Sequence, residues 1–147
     1  MKQILLIVFL LFAIMEGNAQ NKNKMEELFI QKIIENYATA LDAQNVPEAE
    51  KFLDKEFRVV LNNYNNSGTI AILSREQYTG MMRSGKVGGN KRKVKFLLTD
   101  IHDNAAVVKV QLEGEKNIFT NYYSLIKNGG TWLIINDMPQ IIAKPVN

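Results

Sequence analysis

The chain has no cysteine. That absence excludes disulfides, thiol nucleophiles, thiolate metal sites and a lipid anchor on cysteine, so a packed core must hold the fold. Histidine is almost missing as well, with His102 the one imidazole in the chain. Zinc sites built from paired histidines or cysteines are therefore out of reach. A formal charge of only +3 gives weak grounds for a nucleic-acid partner. No repeat, low-complexity tract or linker interrupts the chain. Beyond the N-terminus, no apolar run is long enough to cross a bilayer.

The first segment, MKQILLIVFLLFAIMEGNAQ, has what the rest lacks. Lys2 is followed by an unbroken apolar run from Ile4 to Met15, then by Gly17 and Ala19 at the small-residue positions of a cleavage site. This layout predicts a signal peptide over 1–19, with export to the periplasm or outside the cell after cleavage near Ala19. An uncleaved N-terminal anchor is the alternative. Residues 20–147 are expected to form a single domain with one core, without a membrane segment once processed.

Apolar residues at Met25, Phe29, Ile33, Tyr37 and Leu41, flanked by Leu28, Ile30 and Ile34, predict an amphipathic helix of about five turns. A short second helix is expected over Pro47–Leu53, with the proline in its first position. Strands are expected from Phe57 (FRVVLNNY) and over TIAIL, joined by the turn NNSG. Ser74 and Gln77 form a capping box that starts a third helix running to Arg83. Four strands follow, and the last two, NIFTNYYSLIK and TWLIINDM, make a hairpin around NGG. In KRKVKFLLTDI, Val94, Phe96 and Leu98 alternate with Lys93 and Lys95, which marks the lysines as a solvated strand face.

Gly80–Val87, GMMRSGKV, comes within one residue of a phosphate-binding loop, with Val87 where a hydroxyl is required. The order of elements is inverted, however: a helix precedes the glycines and a strand follows them. A flexible loop is expected here, and the match is chance.

Two stretches carry a resemblance. ENYATALDAQNVPEAEKFLDKEFRVV resembles the opening of the nuclear-transport-factor-2-like superfamily. FTNYYSLIKNGGTWLIIND is similar to the closing hairpin of its lumazine-binding, SnoaL-like branch, matching at Phe119, Thr120, Tyr122, Gly130, Trp132, Ile134 and Asn136. Asn121 stands where that branch usually has an acid. LSREQYTGMM resembles the branch's third helix. The resemblance implies an α+β fold, a strongly curved antiparallel sheet wrapped around a long N-terminal helix in the order α-α-β-β-α-β-β-β-β. It also implies an apolar pocket inside the cone and a homodimer through the sheet.

The expected pocket residues are Tyr37, Phe57, Tyr78, Met82, Asn121, Tyr123 and Asn136, which suit a small apolar or aromatic ligand with polar handles. A two-residue turn within NGG is taken to set Leu125 opposite Trp132, Tyr123 opposite Ile134 and Asn121 opposite Asn136. Two facing amides orient a ligand but move no protons. The leading expectation is therefore an exported binding domain without catalysis, cofactor or metal. The alternatives are an isomerase- or dehydratase-like enzyme with Asp54 or His102 as base, and a dimeric protein-interaction module. His102 with Asp100 and Asp103 makes a poor metal set, since Asp103 belongs to the turn.

Overall fold

The structure, a computed structural model, describes residues 23–63 and 68–145. The predicted leader 1–19, Tyr64 and most of the NNSG turn lie outside the described residues. Helix α1 runs over 23–42 and buries Ile30, Ile33, Ile34, Tyr37, Ala38 and Leu41. Met25, Leu28 and Phe29 were expected on the same stripe, but they are exposed. The reason is geometric: a four-residue step advances about 40° around a helix of 3.6 residues per turn, so one such line cannot stay on one face. The first turn is held instead by Glu26 Oε1, which accepts from Lys127 Nζ at 2.6 Å and Trp132 Nε1 at 3.1 Å.

Helix α1 ends where Gln44 takes a left-handed conformation, φ 53°. Asn45 caps α2 (Val46–Ala49) by accepting from the Glu48 N–H, and Pro47 falls in the first turn where its missing N–H is not needed. A 3₁₀ turn (Glu50–Phe52) completes the segment. Strand β1 (Leu53–Asn62) thus begins earlier than Phe57, and β2 (Ile70–Ser74) returns beside it. Helix α3 (Arg75–Arg83) starts at the expected capping box, with the Ser74 and Gln77 side chains each bonding the other's backbone. Strands β3 (Lys93–His102), β4 (Ala105–Glu113), β5 (Asn117–Asn128) and β6 (Thr131–Ala143) follow.

The strands form one curved, unclosed sheet in the order β2-β1-β6-β5-β4-β3. Every neighbour pair is antiparallel except β1 with β6, which run parallel. The α+β cone is therefore present, with one parallel seam through an otherwise antiparallel sheet. The core is the buried face of α1 against the inward side chains of β1, β4, β5 and β6, including Phe57, Val59, Val108, Val110, Leu112, Leu125 and Ile134. Each such side chain is worth roughly 1.5–3 kcal/mol of burial. Lys93 and Lys95 are exposed while Val94 and Phe96 pack against the core, as their alternation requires. Leu98 does not follow them: the register with β4 shifts between Phe96 and Leu98, and Leu98 turns outward.

Among the described residues, no helix is long and apolar enough to cross a membrane.

Candidate functional site

The β5–β6 hairpin decides which polar side chains reach the inside of the cone. Its turn is Gly129–Gly130, both at positive φ, and Asn128 pairs with Thr131. Leu125 therefore faces Ile134, not Trp132. The register then shifts once more: Ser124 pairs with Asn136, so Ile135 is an extra residue on β6. A bulge of this kind reverses which residues of the strand point inward. Before it, Trp132 and Ile134 are buried; after it, Asp137 is buried and Asn136 is not. The expected Asn121–Asn136 pair does not form. Asn121 pairs across the ladder with Pro139, Tyr123 pairs with Asp137, and Asn136 accepts from Arg58 Nε at 3.2 Å.

The inward pair is instead Asn121 with Asp137. Asn121 Nδ2 donates to Asp137 Oδ1 at 2.7 Å, and the two residues are 4% and 1% exposed. Asn121 Oδ1 is buried without a hydrogen-bond partner among the described residues. Burial pushes the Asp137 carboxyl up to about 7, although the Asn121 hydrogen bond and the Arg92 charge both favour its ionised form. The hydroxyls of Tyr37 and Tyr123 are also buried without an aligned partner. Burial first, then neighbouring ionisable groups, raise Tyr37, Tyr78 and Tyr123 above the ordinary phenol range, so all three stay protonated donors.

Asp137 lies where the sheet parts. Parallel pairing of β1 with β6 ends at Val59 and Asp137, and Pro139 has no N–H to contribute to a further rung. Beyond that point β1 stays with β2 and β6 stays with β5. Between them opens a cavity of about 770 Å³. Val59, Leu61 and Leu73 line one side, and Phe119, Asn121 and Asp137 the other, with Tyr78 on α3 also in the lining.

The glycine-rich segment after α3 forms the remaining wall through Lys86, Val87, Gly88 and Arg92. It was expected to be a flexible loop, yet it is tied to the end of α1. Gln44 Nε2 donates to the Val87 carbonyl at 3.1 Å, and the Gly89 N–H donates to the Asp42 carbonyl at 3.1 Å. Gly88, at φ 82°, lies so close to α1 that a Cβ there would sit 2.0 Å from the Leu41 carbonyl oxygen. The glycines serve close backbone approach, not phosphate binding.

Of the residues proposed from sequence, Tyr78 and Asn121 line the cavity. Tyr37, Phe57, Met82 and Tyr123 are core residues behind it; Tyr37 packs edge-on to Phe57 and Tyr123. Asn136 lies outside the cavity lining. Asp54 is buried at the start of β1, where its Oδ1 accepts the Glu56 N–H at 2.9 Å, and it is not a lining residue. His102 is exposed at the far end of β3. Asp137 and Arg92 are the site residues that sequence reasoning passed over. The signal for Asp137 was an acid inside an apolar strand, two residues before a proline. Arg92 sits beside the lysines Lys93 and Lys95 that mark a solvated strand face, and nothing in its local sequence sets it apart from them.

A family model described as "Putative lumazine-binding" matches residues 25–138. No curated protein matches the sequence. Among solved structures, the fold is similar to a nuclear-transport-factor-2-like protein of unknown function from Silicibacter pomeroyi, at 15% identity over 83% of this chain and 98% of that one, with a TM-score of 0.68. A second from Shewanella baltica gives 12% identity, coverage of 80% and 94%, and a TM-score of 0.70. A nuclear-transport-factor-2-like protein from Cytophaga hutchinsonii gives 19% identity, coverage of 78% and 96%, and a TM-score of 0.60. Identities this low carry the fold alone.

Proposed function

The chain belongs to the family described as "Putative lumazine-binding", within the nuclear-transport-factor-2-like fold, and from that premise we propose that it binds a small flat molecule inside the cone. The ligand's apolar body lies against Val59, Leu73, Tyr78 and Phe119, and its polar edge meets Asn121 and Asp137. The observation that carries this reading is the buried Asn121–Asp137 pair, hydrogen-bonded at 2.7 Å in the wall of a cavity of about 770 Å³. That volume is in the usual range for small-molecule sites, roughly 300–1,000 Å³. Asn121 Oδ1, buried without a partner, has an unmet demand for a donor such as a ring N–H. Native mass spectrometry of the purified protein, with a melting-temperature screen against lumazine and related fused-ring diones, tests the proposal. Expected are a bound small molecule or a dione-induced rise in melting temperature, lost in Asn121→Ala. No adduct and no shift across the panel would reject it.

Asp137 favours a second reading, in which the bound molecule undergoes proton transfer. A carboxyl held near neutrality exchanges protons readily at physiological pH, and a protonated Tyr78 is a donor for a developing oxyanion. In this reading the base is Asp137, not Asp54 or His102. Deuterium exchange into an enolisable ketone, followed by NMR and abolished in Asp137→Asn, is the expected result.

Export is part of the proposal. It rests on the leader-like residues 1–19 alone, and intact mass of the secreted or periplasmic form should place Gln20 at the N-terminus. A homodimer is proposed on the outer sheet face, where Leu98, Val107, Met138 and Ile142 are exposed, and light scattering checks it.

A further inference from the structure

Arg92 is the cavity group that binding of a neutral flat ligand leaves unexplained. Its side chain is 7% exposed. Nε donates to Asp42 Oδ1 at 2.6 Å, and the Arg92 backbone N–H donates to Asp42 Oδ2 at 2.9 Å. Both Asp42 oxygens are thus engaged by the same residue. Nη2 lies 2.6 Å from the same Oδ1 and shares it with Nε, and its outward N–H has no other acceptor among the described residues. Phe119 packs against the guanidinium, with its ring centre 5.3 Å from Cζ, and so fixes the plane of the fork.

Charge adds a second, independent argument. Asp42 and Arg92 cancel, which leaves Lys86 at the cavity rim as the remaining cation of the lining. Lys86 is exposed and makes no ion pair among the described residues. Asp137 also lines the cavity, and it disfavours a ligand carrying several negative charges. One buried guanidinium with an unmet donor, one rim ammonium and one opposing acid together suit a single negative charge.

We propose that the ligand is an aromatic organic monoanion, its carboxylate held by the outward N–H of Arg92 Nη2 with Lys86 at the rim, and its ring edge by Asn121 and Asp137. This rests on the binding reading above and names the class of molecule. A carboxylate accepting from a charged N–H forms a stronger hydrogen bond than a neutral carbonyl does.

Matched probes test it: 2-naphthoate against 2-naphthamide, and indole-3-acetate against indole-3-acetamide, each titrated calorimetrically into the purified chain. Each carboxylate is expected to bind at least about ten-fold more tightly than its amide. Lys86→Gln, an exposed change, is expected to cut that preference by about two- to three-fold, and raised salt should mimic it. Arg92→Lys keeps the charge beside Asp42 while losing the fork, and is expected to abolish the preference in a protein that circular dichroism shows is folded. If acid and amide of each pair bind alike, the anion inference falls while binding stands. If none of the four binds, the anion inference falls, and the dione panel decides binding on its own. A folded Arg92→Lys protein that keeps the ten-fold preference would remove Arg92 from the site.

Discussion

Near its turn, the β5–β6 hairpin is dry: Leu125, Trp132 and Ile134 face inward and are fully buried in the core. Beyond Ile135, the same two strands send Asn121 and Asp137 inward, equally buried but polar, against a cavity. The ladder continues through both halves, so backbone pairing does not distinguish them. What differs is the company each keeps: apolar groups stabilise by being buried, whereas a buried carboxyl costs free energy unless it is neutralised or hydrogen-bonded. The near half builds the fold, and the far half holds chemistry at the expense of stability.

The largest effect that would break this contrast comes from the near half. Trp132→Ala should lose about 3–5 kcal/mol at every pH, read from urea unfolding. A loss below about 1 kcal/mol would mean that the dry half is not the anchor.

Asp137→Asn should act differently, through pH. The folded-state value near 7 lies above the ordinary 3.8, so between those values the folded chain holds a proton that the unfolded chain has lost. This group's contribution is fully present below about pH 3.8 and is lost as pH rises through 7, by as much as roughly 4 kcal/mol. The amide should flatten the stability–pH curve over that window and leave the variant more stable than the parent above it. Urea midpoints measured from pH 4 to 8 check the slope, which Trp132→Ala should not alter. An unchanged slope in Asp137→Asn would show that the carboxyl is hydrated in the fold.

The smallest effect sharpens the boundary between the halves. Asn136→Ala removes one hydrogen bond to Arg58 and should cost only about 0.5–1 kcal/mol, with ligand affinity unchanged. Asn121→Ala, across the bulge's change of face, should remove binding. Equal effects of the two would place the bulge elsewhere.

Much of the scaffold was legible because it depends on local signals. The Ser74–Gln77 box, the Pro47 start and the NGG turn each act over a few residues; the box sits where the sequence puts it, α2 begins one residue before Pro47, and the turn falls on Gly129–Gly130, one residue beyond the pairing expected from the sequence. The long helix was legible in its middle, where Ile30, Ile34 and Tyr37 keep helical spacing, and misread at Met25 and Phe29. Leu98 and Asn136 were misassigned for one shared reason. Alternation predicts a strand's inner face only until a bulge, and no residue type announces the extra Leu97 or Ile135. Arg92 was not legible as a site residue because its partner, Asp42, is distant in the chain.

The sequence alone determined the elements, their order and the family, since apolar periodicity, caps and turn residues are short-range properties of the chain. Tertiary structure decided which polar side chains meet inside. A one-residue bulge reversed the face of β6, and the parting of β1 from β6 opened a space beside Asp137. Both are outcomes of how strands register and curve against a helix, a choice that the whole sheet makes together.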